Sequence, residues 1–184
     1  MHFIHADNFD EWRDAARRLL LQQVAPSEIR WDSGEKQPSL FEPEPTDDQA
    51  LNSRFNVPKA FIDLAQIVGC HRDPERWTLL YRTLWRILHG EKHLMQISTD
   101  DDVYEVLKMK KAVTRDVHKM KAFVRFRKVV AAEDGSSVPV ENYIAWHRPD
   151  HRIVRLAAPF FARRFSGMNW SILTPDESVI WNQT

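Results

Sequence analysis

From Asp101 to Val130 the chain reads DDVYEVLKMKKAVTRDVHKMKAFVRFRKVV, and its hydrophobic period changes on the way. Val103, Val106, Met109, Val113, Val117 and Met120 recur every three or four residues, which predicts a helix from about Asp101 to Lys121 with one apolar face. From Ala122 to Val130 the period becomes two. Val124 and Phe126 share one side and Arg125 and Arg127 the other, as in a half-buried strand. A helix that hands over to strands at this point sets the fold class.

Working towards the N-terminus, helical spacing predicts helices over residues 8–23, 58–68 and 73–89. Pro58 and Asp73-Pro74 supply start signals, and Gly69 and Gly90 supply stops. Towards the C-terminus, Glu133-Asp134-Gly135-Ser136 reads as a turn and Val138 to His147 as the returning strand. A helical stretch follows from Pro149, restarted at Pro159, to about Phe165. Met168 to Leu173 and Ser178 to Trp181 flank Thr174-Pro175-Asp176-Glu177 as a second hairpin. The expected fold is α+β: N-terminal helices packed with an antiparallel sheet made of two hairpins separated by a helix. It is expected to be a single domain over residues 1–184. Within it, residues 32–56, rich in proline and acid and poor in large apolar side chains, read as a mobile loop.

Composition narrows the function. The 184 residues carry 26 Lys+Arg and 26 Asp+Glu, so the chain is not a generic polycation. One cysteine excludes an internal disulfide or a cysteine-rich zinc site. No apolar run is long enough to span a membrane and the first residues do not resemble a secretory signal, so a cytoplasmic protein is expected. The charge is uneven, however. Residues 1–60 carry 7 basic and 11 acidic side chains, whereas residues 101–165 carry 14 and 8. A polyanion is expected to dock in that third quarter.

The basic residues there are ordered. On the helix, Lys108, Lys111, Arg115 and Lys119 form a stripe opposite the apolar face, uninterrupted by acid. Like charges at this spacing repel by a few tenths of a kcal/mol, so folding does not call for them. His118 lies at the edge of the stripe. Arg125 and Arg127 continue it along the strand and are suited to clamp phosphates. A solvated polar face over an apolar core is the competing reading. His147, Arg148, His151, Arg152 and Arg155 form a further basic cluster, with Arg163 and Arg164 beyond it, and Trp146 and Trp170 are strand aromatics with the chemistry to stack on a base. No glycine-rich phosphate loop and no metal-ligand spacing is present, so neither cofactor nor metal is expected. His118 and Asp116 are the weak candidates for acid–base chemistry, but two helical residues apart they point in nearly opposite directions.

Longer blocks carry a resemblance. Val57-Pro58-Lys59-Ala60-Phe61, Cys70-His71-Arg72-Asp73-Pro74-Glu75-Arg76-Trp77, Arg115-Asp116-Val117-His118-Lys119-Met120 and Ala122-Phe123-Val124-Arg125-Phe126-Arg127 are among them. Ala158-Pro159-Phe160-Phe161-Ala162-Arg163-Arg164-Phe165 and Trp170-Ser171-Ile172-Leu173-Thr174-Pro175 complete the set. Over residues 3–31 and 57–184 the chain resembles a bacterial DNA-metabolism and DNA-repair protein family. That family is found beside a radical-SAM DNA-modification protein, or fused to a uracil-DNA-glycosylase-superfamily domain. The resemblance implies DNA as a partner, with the radical-SAM protein or the glycosylase as further partners. It also implies a C-terminal segment beyond Thr184, and it supplies no catalytic residue.

The resulting expectation is a DNA-binding accessory module in DNA repair or base modification, with Lys108, Lys111, Arg115, His118, Lys119, Arg125 and Arg127 at the nucleic acid. A base-repair enzyme using His118 and Asp116 is the first alternative. The second is an adaptor for the bacterial sliding clamp. Gln37-Pro38-Ser39-Leu40-Phe41 resembles the clamp-binding pentapeptide, with Gln37 leading and Leu40 and Phe41 as apolar anchors.

Overall fold

The computed structural model describes residues 1–32, 55–131 and 140–183. The chain divides into two compact units, Met1–Lys110 and Lys111–Thr184. The predicted turn at residues 133–136 and most of the predicted loop lie outside the described residues.

The first unit is built on tryptophan. Strand β1 (His2–His5) leads into helix α1 (Phe9–Leu21), and a short 3-10 turn (Pro26–Glu28) leads into β2 (Ile29–Asp32). Asn8 caps α1 by accepting the Glu11 N–H at 3.0 Å, while the Glu11 carboxylate accepts the Asp7 N–H at 3.0 Å. Helix α2 (Lys59–Gly69) starts behind Pro58, and α3 (Arg76–Leu88) ends before Gly90, whose φ of +123° suits glycine alone. α3 is largely buried, with Trp77, Leu80, Tyr81 and Leu84 in the core. Trp77 stacks on Trp12 of α1 with ring centroids 5.9 Å apart. Its indole N–H donates to the Ala6 carbonyl at 2.7 Å, and the Tyr81 hydroxyl donates to that of Val24 at 2.8 Å. Each buried polar tip therefore has its acceptor, which lets these large side chains contribute their full apolar burial. Burial pushes the Tyr81 phenol well above its ordinary range.

One pairing of this unit is not anticipated. β1 and β2 lie parallel, from His2↔Ile29 to His5↔Asp32, with α1 as the connection that parallel strands require. Asp32, expected in the loop, is the last residue of β2. The start of α4 (Asp101–Phe123) belongs here as well. Asp100 caps it, and an ion network ties it to α3: Arg82 donates to Asp102 at 2.9 Å, and Arg86 donates to Asp100 at 2.7 Å, to Asp102 at 2.9 Å and to Glu91 at 2.6 Å.

The second unit takes the rest of α4 and a four-stranded sheet of order β3-β4-β5-β6. The strands are β3 (Arg127–Ala131), β4 (Val140–Trp146), β5 (Asn169–Leu173) and β6 (Ser178–Trp181). The α+β class holds, but the sheet is mixed rather than antiparallel. β3 with β4 and β5 with β6 run antiparallel, whereas β4 and β5 run parallel, with helix α5 (Val154–Arg164) between them. A connection that carries a helix returns the chain to the start of the next strand, so the two strands share a direction.

Other boundaries also move: α3 begins at Arg76 rather than at residue 73. α5 begins at Val154 rather than at Pro149, and Pro159 sits inside it. α4 continues through Phe123, so the strand expected from Ala122 begins only at Arg127. The Val124 N–H still donates to the Met120 carbonyl at 3.0 Å, and the Arg125 guanidinium donates to the Ala122 and Val124 carbonyls at 2.7 and 3.0 Å. A cationic side chain thus satisfies carbonyls that the end of a helix leaves open. The sidedness read from the sequence survives this shift: Val124 is buried and Phe126 half-buried, while Arg125 and Arg127 are exposed.

Candidate nucleic-acid interface

The apolar face of α4 is buried at Val103, Val106, Met109, Val113, Val117 and Met120, which turns the opposite face to solvent. Lys108, Lys111, Arg115 and Lys119 all lie exposed there. Lys108, on the first unit's part of the helix, pairs with Glu105 at 3.1 Å, and Lys119 reaches Asp150 at 3.3 Å. Exposed pairs of this kind contribute about 0–1 kcal/mol and are readily exchanged for a better anion. Lys111 and Arg115 have no acidic partner among the described residues. Arg125 serves as the helix-terminal donor already described, which leaves its charge unneutralised. Arg127 is exposed at the start of β3 and stands in register with Ile144 of β4.

The sheet separates two tryptophans that look alike in sequence. Trp170 is 2% exposed and packs against Phe161 of α5, with centroids 6.3 Å apart, so it is a core residue and has no face for a base. Trp146 ends β4 with 65% of its surface exposed. Of the third basic cluster, Arg155 is paired with Glu177 at 2.5 Å, while Arg148 is exposed without an acidic partner among the described residues.

His118 and Asp116 are not brought together. Asp116 is 3% exposed, and its carboxylate accepts the backbone N–H of His151 at 2.8 Å, which anchors the segment after β4. His118 is exposed on the helix surface. Gln37, Leu40 and Phe41 lie outside the described residues.

A pocket of about 360 Å³ opens beside the end of α4 and holds neither His118 nor Asp116. Lys121, Arg125 and Arg164 supply its charge, and Phe126, Tyr143 and Phe160 its aromatic walls. Sequence reasoning missed Lys121, Tyr143 and Phe160, and read Arg164 only as a cation beyond the third basic cluster. On a linear pattern they look like ordinary surface cations and strand or helix aromatics, and only the packing of α5 and the end of α4 against the sheet gathers them. In the first unit, His5, Asp7 and Glu11 place possible ligand atoms within 4.8 Å of one another, but the Glu11 carboxylate is engaged in capping α1.

No curated protein and no solved structure matches the chain. One family does: the DUF4130 family, described as a domain of unknown function, matches residues 74–183. The matched segment runs from the start of α3 to the end of β6 and contains the cation stripe, both strand arginines and the pocket. Since it covers more than half of the sequence, the chain belongs to the DUF4130 family.

Proposed function

We propose that this chain is a DNA-binding accessory module of DNA repair or base modification. It contacts phosphates through the exposed face of α4 and the start of β3. The observation that supports this reading most is electrostatic. The second unit carries 12 basic and 7 acidic side chains. Lys111, Arg115, Arg127, Arg148 and Arg163 among these bases are exposed and have no acidic partner among the described residues. Cations left in this state are repelled by their neighbours, and a phosphate backbone relieves that repulsion while releasing its own counterions. The resemblance to the DNA-repair family points the same way. It also suggests a radical-SAM protein or a glycosylase as the enzyme that the module serves.

The enzyme reading is weaker. The Asp116 carboxylate already holds a backbone N–H in the interior, and the exposed imidazole of His118 lies outside the pocket beside the end of α4. The test is titration of the full chain against single-stranded, duplex and uracil-containing oligonucleotides over a salt series. The module reading expects binding to all three with a steep fall in affinity as salt rises, about 0.7–0.9 in log K per log salt for each phosphate bound. Absence of binding to every oligonucleotide at low salt overturns it.

A further inference from the structure

The geometry points to a second element of recognition. We infer that the pocket beside the end of α4 receives a single unstacked nucleotide of a nucleic-acid strand, its base between aromatic side chains and its phosphate among three cations. This inference rests on the nucleic-acid reading above and adds to it a site where one nucleotide leaves the path of the others.

The lining specifies the ligand's chemistry. Lys121 from α4, Arg125 from the helix terminus and Arg164 from the end of α5 converge on one cavity, and no carboxylate lines it. Arg125 is bonded only to backbone carbonyls, and neither Lys121 nor Arg164 has an acidic partner among the described residues. Three positive charges gathered without a counter-charge call for an anion. The remaining walls are aromatic. Phe126 meets Phe161 edge-on at 6.0 Å and Phe165 at 5.2 Å, which fixes its ring, while Phe160 and Tyr143 are half-buried and keep surface free. The Lys121 ammonium sits 5.1 Å from the centre of the Phe160 ring. Such walls accept a flat π-system, and a cation over a ring extends the stack.

An anion joined to a flat ring is what a nucleotide offers. The volume of about 360 Å³ lies at the small end of the range of roughly 300–1,000 Å³ for ligand sites, which suits one nucleotide and not a dinucleotide. Arg125 and Arg164 are exposed, so the mouth is at the surface. Arg125 also belongs to the proposed phosphate track, so a strand lying on that track passes the mouth. Lys121 lies roughly a third of a turn around α4 from the cation stripe, so a nucleotide entering the pocket must turn out of the strand.

The test uses the full chain and a short single strand with 2-aminopurine at one position, because the fluorescence of this base reports whether it is stacked and on what. The wild type is expected to give a bound-state fluorescence different from that of the free strand. Phe160→Ala and the double variant Lys121→Ala with Arg164→Ala are each expected to abolish that signature and to lower affinity about tenfold, the effect of losing one stacked base. The triple variant Lys111→Ala, Arg115→Ala and Lys119→Ala is expected to need more protein but to keep the signature at saturation. If Phe160→Ala fails to fold, the cation variant carries the test, since both of its substitutions lie at polar, accessible positions. Salt-sensitive binding by the wild type without a 2-aminopurine signature, or with a signature that the cation variant retains, overturns the pocket and leaves the phosphate track standing. Absence of any binding overturns both.

Discussion

The two units differ in how far an ion network holds their arginines. In the first, Arg82 and Arg86 are locked to Asp100, Asp102 and Glu91, and Arg76 is buried with its guanidinium 4.3 Å from the Trp77 ring. In the second, Lys111, Arg115, Arg127, Arg148, Arg163 and Arg164 meet no carboxylate among the described residues. Helix α4 shows the contrast within one element. Its first turn is acidic and knitted to α3, and its later turns carry the cation stripe, in which Lys111 and Arg115 have no acidic partner among the described residues. In the first unit the arginine–carboxylate network serves the fold, while Arg18, Arg30 and Lys92 are exposed with no acidic partner among the described residues. In the second, Lys119, Lys128 and Arg155 pair with Asp150, Glu141 and Glu177, and the remaining excess of cations is the argument for an external anion.

The contrast can be broken at its strongest point first. Trp77→Ala removes the ring that stacks on Trp12 and the N–H bonded to Ala6, and should cost about 3–5 kcal/mol in urea unfolding. Phe126→Asp puts a carboxylate where a ring packs on Phe161, Phe165 and Trp170, and should unfold the second unit. Arg127→Glu, its sequence neighbour, should leave the melting temperature unchanged and weaken DNA binding. The reverse order of stabilities would contradict the sidedness of this segment.

Arg86→Ala should cost about 1–3 kcal/mol, between the values for exposed and buried pairs, because it takes a cationic donor from three carboxylates, of which Asp102 alone keeps another, Arg82. The loss should depend on pH. Hydrogen bonds from Arg86 hold Glu91 and Asp100 below their usual range. At Asp102 burial opposes ionisation, and the bonds from Arg82 and Arg86 outweigh it. Folded-state values below the unfolded ones make the stabilisation complete above about pH 4–4.5 and remove it as the pH falls through the folded values. Wild type and Arg86→Ala should therefore converge in stability in acid. A gap that stays constant down to low pH would show that the network's charge is not what stabilises.

Much of this layout was readable in the residues, for a physical reason. Val103 to Met120 repeats at helical spacing over a long stretch, so both faces of α4 were fixed before any packing was known. The start signals at Pro58 and Asp73-Pro74 and the stop at Gly90 act locally, and local chemistry is visible in a linear pattern. The β1–β2 pairing was not readable. Each strand is four residues long, too short for an alternation to emerge, and the partners meet only because α1 returns the chain. The strand start at Arg127 was hidden because the helix end depends on the Arg125 side chain bonding to backbone carbonyls. Trp146 and Trp170 could not be told apart, since the face covered by α5 decides which of them is buried. The pocket was invisible for the same reason: α4, β4 and α5 each contribute only a few of its residues.

The smallest expected effect on stability accompanies the largest expected effect on binding. Lys111→Ala, Arg115→Ala and Lys119→Ala together touch only exposed side chains and one weak ion pair, and each should leave stability within about 0.5 kcal/mol. Measuring the affinity of this triple variant for one oligonucleotide across a salt series tests the central claim most directly. The account predicts weaker binding and a slope of log K against log salt flatter by about 0.7–0.9 for each phosphate that the variant no longer neutralises. An unchanged affinity and an unchanged slope would contradict it.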